Sequence, residues 1–413
     1  MRTLTGAVDL DAIADAVWER ARAEGFVGHD PYDGLKSRRL AGPLARSRWL
    51  RLAVIQGVKR CPWNLRPLLA IPPGSNPKAL GLLMQAISRR PGLATADDRG
   101  RLVDLMAGLA SHPDGSAVFA GRAAPRGRAQ QLVDHGAGAL GWGYDFPWQS
   151  KVFLQPAYYP TVVCTSFAVD GLVDLAHPLA TMSVHAAAAF VRNHLHRHED
   201  ATGVCYSYSP RDRTRVYNAS LFAGKILARA SRLAAPTEAA AYREEAAATV
   251  EYVAARQAED GHWVYGEADH WQWVDNFHTG FVLETIADIG DLIGEPDHWS
   301  RTLATGFEFY REHLLGPDLT PYYYADRPHV LDAHTVAQSA LTLLRFADHD
   351  VALREAARRV IELGVARLWQ PQRAGFAFQR GRLLANRTVF LRWSQAWMLR
   401  AICTLRAAEE DAA

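Results

Sequence analysis

The chain has 413 residues, 46 Lys and Arg against 44 Asp and Glu, a net charge of +2 and 49% hydrophobic residues. So even a balance argues against the basic face that nucleic-acid binding usually needs, and the apolar content excludes a disordered chain. No stretch reaches the roughly 20 apolar residues of a membrane-spanning helix, and residues 1–10 lack the apolar core of a signal peptide. The four cysteines, Cys61, Cys164, Cys205 and Cys403, are too scattered for a disulfide framework or a zinc site. A cytoplasmic protein with reduced thiols, no bound metal and no cofactor is expected.

Residues 1–140 read as irregular helical hairpins, with helices predicted near 10–23, 48–59, 77–88, 99–110 and 127–135. Turn-rich loops separate them, among them His29-Asp30-Pro31-Tyr32-Asp33-Gly34 and Ile71-Pro72-Pro73-Gly74. From 141 to 406 the chain repeats. An aromatic-x-aromatic unit begins at Trp142, Tyr206, Trp263, Tyr322 and Phe376, at spacings of 64, 57, 59 and 54 residues. Each unit leads into a turn and a short extended run such as Trp271-Gln272-Trp273-Val274, the pattern of a small β-hairpin. Where an Asp or Asn follows, as at Asn218, Asp275 and Asp332, it suits the start of a helix, because its side-chain oxygen accepts the unpaired amides of the first turn. An apolar helix and then a more polar one complete the unit, as in 281–289 and 239–257; the first belongs inside and the second outside. Two helices per repeat around a shared core predict one all-α domain over 1–413, since a ring can grow without splitting its core.

Paired inner and outer helices joined by aromatic hairpins resemble the six-hairpin (α/α)6-type toroids. These include glycoside hydrolases, polysaccharide lyases, uronyl epimerases and the terpene cyclases with their prenyltransferase relatives. Three segments, Asp30-Pro31-Tyr32-Asp33-Gly34-Leu35, Lys59 through Asn64-Leu65-Arg66-Pro67, and Asp275 through Phe281, also resemble VpsJ-type proteins of bacterial exopolysaccharide clusters. The resemblance implies a toroid of inner and outer helices with short aromatic hairpins at its mouth. It further implies a saccharide substrate, which a cytoplasmic location would make a nucleotide- or lipid-linked intermediate.

Fold alone does not give function. In such a ring the inner-helix N-termini crowd one mouth, so polar residues at equivalent repeat positions are the site candidates. His278 and His334 each follow an Asp at a helix start, where a carboxylate could orient the imidazole for proton transfer near neutral pH. Asp275 and Asp332 also serve as plain helix caps on this pattern. Tyr206, Tyr208 and Tyr217 are the reserve acid–base candidates. Trp142, Trp263, Trp271 and Trp393 could stack on sugar faces, with Asp145, Asn218 and Arg392 as polar contacts; hairpin aromatics more often pack on the helices below. Supplies of His, Tyr and Arg favour lyase or epimerase chemistry over hydrolysis, which needs two carboxylates flanking the scissile bond. An isoprenoid-binding toroid and a non-catalytic glycan-binding subunit are the other readings.

Three motifs are set aside. Gly136 to Gly141 spells GxGxxG but follows no strand. His194-Leu195-His196-Arg197-His198 lacks the acidic residue of a helical zinc site. Asp97-Asp98 and Asp348-His349-Asp350 are not the DxDD acid of a proton-initiated terpene cyclase.

Overall fold

A computed structural model describes residues 8–122, 126–136, 138–150, 154–327, 329–348 and 350–412, the side chains of 44, 45 and 135 aside. Its α-helices, in chain order, are α1 (Leu10–Ala23), α2 (Ala41–Arg46), α3 (Arg48–Arg60), α4 (Pro77–Arg89), α5 (Ala96–Gly108), α6 (Arg128–His135), α7 (Val162–Asp174), α8 (Leu179–His194), α9 (Tyr217–Ser231), α10 (Pro236–Ala254), α11 (Asn276–Ile293), α12 (Ser300–His313), α13 (Ala333–Arg345), α14 (Val351–Leu368) and α15 (Trp397–Glu410). Side-chain caps start many of them. Asp9, Asn76, Thr161, Asp275, Asp332 and Asp350 each accept first-turn amides, and Thr95 with Asp98 forms a capping box. Asp98 and Asp350, set aside as terpene-cyclase acids, are thus helix caps; His349 lies outside the described residues.

Six helices close a ring. α4 packs on α7, α7 on α9, α9 on α11, α11 on α13, α13 on α15, and α15 returns to α4. Outside them α5, α8, α10, α12 and α14 each pack on the inner helix that precedes them. α1 supplies the outer partner of α15, so the two ends of the chain complete one hairpin. This is the (α/α)6 toroid that the repeat predicts, with Phe281 and Leu283 buried on an inner helix. The seam between α4 and α7 is close: a Cβ on Gly81 would lie 2.1 Å from the Phe167 carbonyl oxygen.

Aromatic rings meet at the ring axis. Phe167, Phe222, Phe281 and Trp397 meet with centroids 5.4 to 6.0 Å apart. Toward the helix C-termini an ionic network takes over. Lys225 of α9 reaches Asp170 of α7 at 3.0 Å and Asp288 of α11 at 2.6 Å, and Arg345 of α13 joins Asp288 at 3.2 Å.

The aromatic loops form antiparallel pairings, partly as expected. Tyr265 N–H donates to the Trp273 carbonyl at 3.0 Å, which closes the predicted hairpin there. Elsewhere the run before an inner helix pairs with the loop of the next repeat. Val162 N–H donates to Tyr208 O, Glu267 N–H to Arg215 O, Asn276 N–H to Tyr323 O and Ala333 N–H to Phe378 O. Arg197–Asp200 pairs with Gly203–Tyr206, and that hairpin lies against α10, the outer helix of the next unit. That hairpin takes His198 off the α8 helix, away from His194. Helix α6, not a strand, precedes Gly136.

Candidate functional site

The inner helices share a register at their N-terminal ends. Counting two residues on from the caps Asn76, Thr161, Val216, Asp275, Asp332 and Phe390 gives Lys78, Val163, Asn218, Phe277, His334 and Arg392. Phe277 stacks on His334 at 4.7 Å, and the charges of Lys78 and Arg392 both act on the His334 ring. The last inner helix begins with a π-turn, Leu391–Ala396, of the kind that often marks functional positions.

His278 and Asp275 form a dyad. Asp275 Oδ1 accepts the His278 backbone N–H at 2.9 Å, and Oδ2 lies 2.6 Å from Nδ1. Trp273 Nε1 donates to the same Oδ2 at 3.1 Å. A proton on Nδ1 shared with the carboxylate leaves Nε2 as the acceptor. The His278 side chain keeps 24% of its surface exposed while Asp275 keeps 2%, so the imidazole is reachable and its partner carboxylate is not. Tyr265 covers one side of the imidazole at 4.5 Å. Tyr217, Asn218, Trp263, Asp275 and His278 together border a cavity of about 10 Å3, room for one water.

His334 departs from the expectation. Its ring lies between Phe277 and Trp397, with centroids at 4.7 and 4.4 Å, outside that cavity, and neither ring nitrogen has a hydrogen-bond partner. Burial, helped by Lys78 and Arg392, pushes its pKa well below the usual histidine value, so the ring is neutral. Asp332 does not orient it. That carboxylate caps the His334 and Thr335 amides and accepts from Trp393 Nε1 at 3.0 Å and Gln379 Nε2 at 2.7 Å. Burial raises Asp332 to about 6.

Other candidates scatter. Tyr206 is fully buried with its hydroxyl on Glu245 of α10, so it faces an outer helix and not the mouth. Trp142 and Trp263 are buried and donate to the Met106 and Val253 carbonyls, at 2.8 and 2.9 Å. They act as packing residues, although Trp263 edges the small cavity. Tyr208 meets the Tyr144 hydroxyl at 3.5 Å, and Trp271 stands half-exposed with its edge against Tyr265. Asp145 is buried between Lys36 at 2.8 Å and Asn76 at 3.0 Å, and Arg392 is engaged by Asp30 at 2.5 Å.

Sequence reasoning missed the cover over the mouth. Tyr32 packs on Trp393 at 5.5 Å, and Lys59 donates to the Tyr32 hydroxyl at 2.5 Å. Arg66 binds buried Asp33 at 2.8 Å. The three segments that carry the narrower resemblance therefore meet here, since Phe277 also touches Trp393 at 5.7 Å. Lys78 was missed as well, although its register after Asn76 matches that of His334 after Asp332. Among the described residues no three His, Cys, Asp or Glu side chains group as a metal site would require, and no helix is long and apolar enough to cross a membrane.

No protein-family model matches the sequence and no curated protein matches it. Solved structures do share the fold. Cellobiose 2-epimerase from Bacillus thermoamylovorans superposes with a TM-score of 0.58 at 9% identity, over 81% of this chain and 88% of that one. A possible member of the GH105 family from Salmonella enterica gives 0.57 at 10% identity, over 100% and 97%. Cellobiose 2-epimerase from Spirochaeta thermophila gives 0.54 at 10%, over 82% and 87%. The chain is thus an (α/α)6 toroid, and its structural neighbours are carbohydrate-active enzymes of that fold.

Proposed function

We propose that the protein is a carbohydrate-active enzyme that moves a proton at a sugar carbon next to a carbonyl, in the manner of an epimerase or lyase. The observation that carries this reading is the Asp275–His278 dyad, with its carboxylate buried and its imidazole reachable. His278 Nε2 takes the proton, and Asp275 steadies the imidazolium that results. Trp271, half-exposed beside Tyr265, is the ring that would stack on a sugar.

Hydrolysis has weaker support. It needs carboxylates free to act across a bond, whereas Asp30, Asp145, Asp275 and Asp332 are each held by a cation or by directed hydrogen bonds. The isoprenoid reading of the cyclase kind lacks its acid, since Asp98 and Asp350 cap helices. A role in polysaccharide assembly, on a nucleotide- or lipid-linked sugar, follows only from the three short segments quoted above.

The test is hydrogen exchange in heavy water, followed by NMR, across a panel of aldoses, reducing disaccharides and uronates. Exchange at one carbon, lost in His278→Ala, supports the reading; no exchange with any sugar overturns it.

A further inference from the structure

Lysine is rare in this chain: five positions, Lys36, Lys59, Lys78, Lys151 and Lys225, stand against 41 arginines. Where an exposed cation is needed the chain uses Arg, so the lysines mark places where a compact amine matters. Lys36 and Lys225 sit in ion pairs and Lys59 bonds Tyr32; Lys151 lies outside the described residues.

Lys78 is different. It is 3% exposed, and its Nζ has no hydrogen-bond or ion-pair partner among the described residues. Its neighbours are ring faces: Phe167 at 4.1 Å, Phe281 at 4.8 Å and Trp397 at 5.3 Å. Phe281 and Trp397 also wall His334, whose two ring nitrogens are likewise unpaired. Buried polar groups are nearly always satisfied, so an imidazole with both nitrogens open, beside a lysine that shares its walls, calls for an explanation. Ring faces favour an ammonium, but by less than its lost hydration costs. Burial, with the Arg392 charge nearby, pushes the lysine well below its usual range. A desolvated amine beside a cation is the setting of a nucleophilic lysine.

We propose that Lys78 forms an imine with the carbonyl of an open-chain reducing sugar, with His334 moving the protons of imine formation. This inference rests on the proton-transfer reading above and narrows its substrate to a sugar with a free reducing end. The Nζ lone pair adds to C1, one proton moves from nitrogen to the former carbonyl oxygen and a second reaches it from solvent through His334, and water leaves to give the protonated imine. That cation draws the C2–H bonding pair into a C1–C2 double bond, giving an enamine, so the C2 proton can pass to His278 Nε2 and return on the other face. Water then adds to C1 and releases Lys78. A nucleotide- or lipid-linked sugar has C1 locked as an acetal and cannot enter this sequence.

The test incubates the full chain with D-glucose, cellobiose or D-glucuronate and cyanoborohydride, with sorbitol as the carbonyl-free control. Peptide mass mapping locates the adduct, and NMR in heavy water follows C2 exchange in parallel. The expected result is reductive labelling of Lys78 at least ~10-fold faster than of any other lysine, none with sorbitol, and a fall in C2 exchange of ~100-fold or more in both Lys78→Met and Lys78→Arg. Lys78→Met should melt no lower than the parent, since it fills the same apolar slot without a buried amine. A lower melting temperature with exchange unchanged would make Lys78 structural and overturn the proposal. Exchange that proceeds with Lys78 unlabelled overturns the imine and leaves the dyad standing. Neither exchange nor labelling with any sugar overturns both.

Discussion

At the scale of single residues, the two histidines show how one position changes a side chain's task. His278 stands three residues after its cap and His334 two, and each residue turns a helix by about 100°. The first ring therefore returns to its own capping carboxylate and the second points to the ring axis. His278→Ala should cut turnover by ~100-fold or more with the fold intact by circular dichroism. His334→Phe keeps the stack between Phe277 and Trp397 and removes two unpaired nitrogens, so it should raise stability by roughly 1–3 kcal/mol in denaturant melts; the proposed proton relay requires its turnover to fall at the same time. Tyr206→Phe should lower stability by about 1 kcal/mol through the lost bond to Glu245 and leave turnover untouched. Loss of activity there would return Tyr206 to the chemistry. The Asp275–His278 pair was legible because both partners lie within one helical turn. Asp30–Arg392, 362 residues apart, was not.

At the scale of elements, the six inner helices are held by different forces along their length. Apolar and aromatic packing fills the middle, and the C-terminal half depends on Lys225 with its two aspartates. Burial alone would raise Asp288, but Lys225 and Arg345 overcome it and hold that carboxyl at about 2. Its folded value is thus below the unfolded one near 3.8. The stability it contributes is complete above the unfolded value and is lost as pH falls toward about 2. Acid titration followed by circular dichroism should show that loss in the parent and a shallower one in Asp288→Asn. Lys225→Met leaves Asp170 and Asp288 without their shared cation and should cost about 3–5 kcal/mol at neutral pH. The helices themselves were readable from caps and apolar periodicity, down to the limits of α1. The collar's pairing from one repeat to the next was not, because a short extended run carries no mark of which neighbour will meet it.

At the scale of the whole molecule, the ring is closed by its own ends. α1 lays Ile13, Val17 and Trp18 into the core beside α15, and Asp11 binds Arg406 at 3.1 Å. Deleting residues 1–24 should open the last hairpin, lower the melting temperature and increase binding of an apolar dye; an unchanged melt would show that five pairs hold the ring without the sixth. The sequence by itself determined the repeat, the alternation of inner and outer helices and the dyad, since each depends on residues close together in the chain. Only the tertiary structure decided that 28–67 folds over the mouth, that Lys78 and His334 share walls, and that Arg392 is held by Asp30. Those facts depend on contacts between helices far apart in sequence, where burial and the lack of a partner, not residue type, set what a side chain can do.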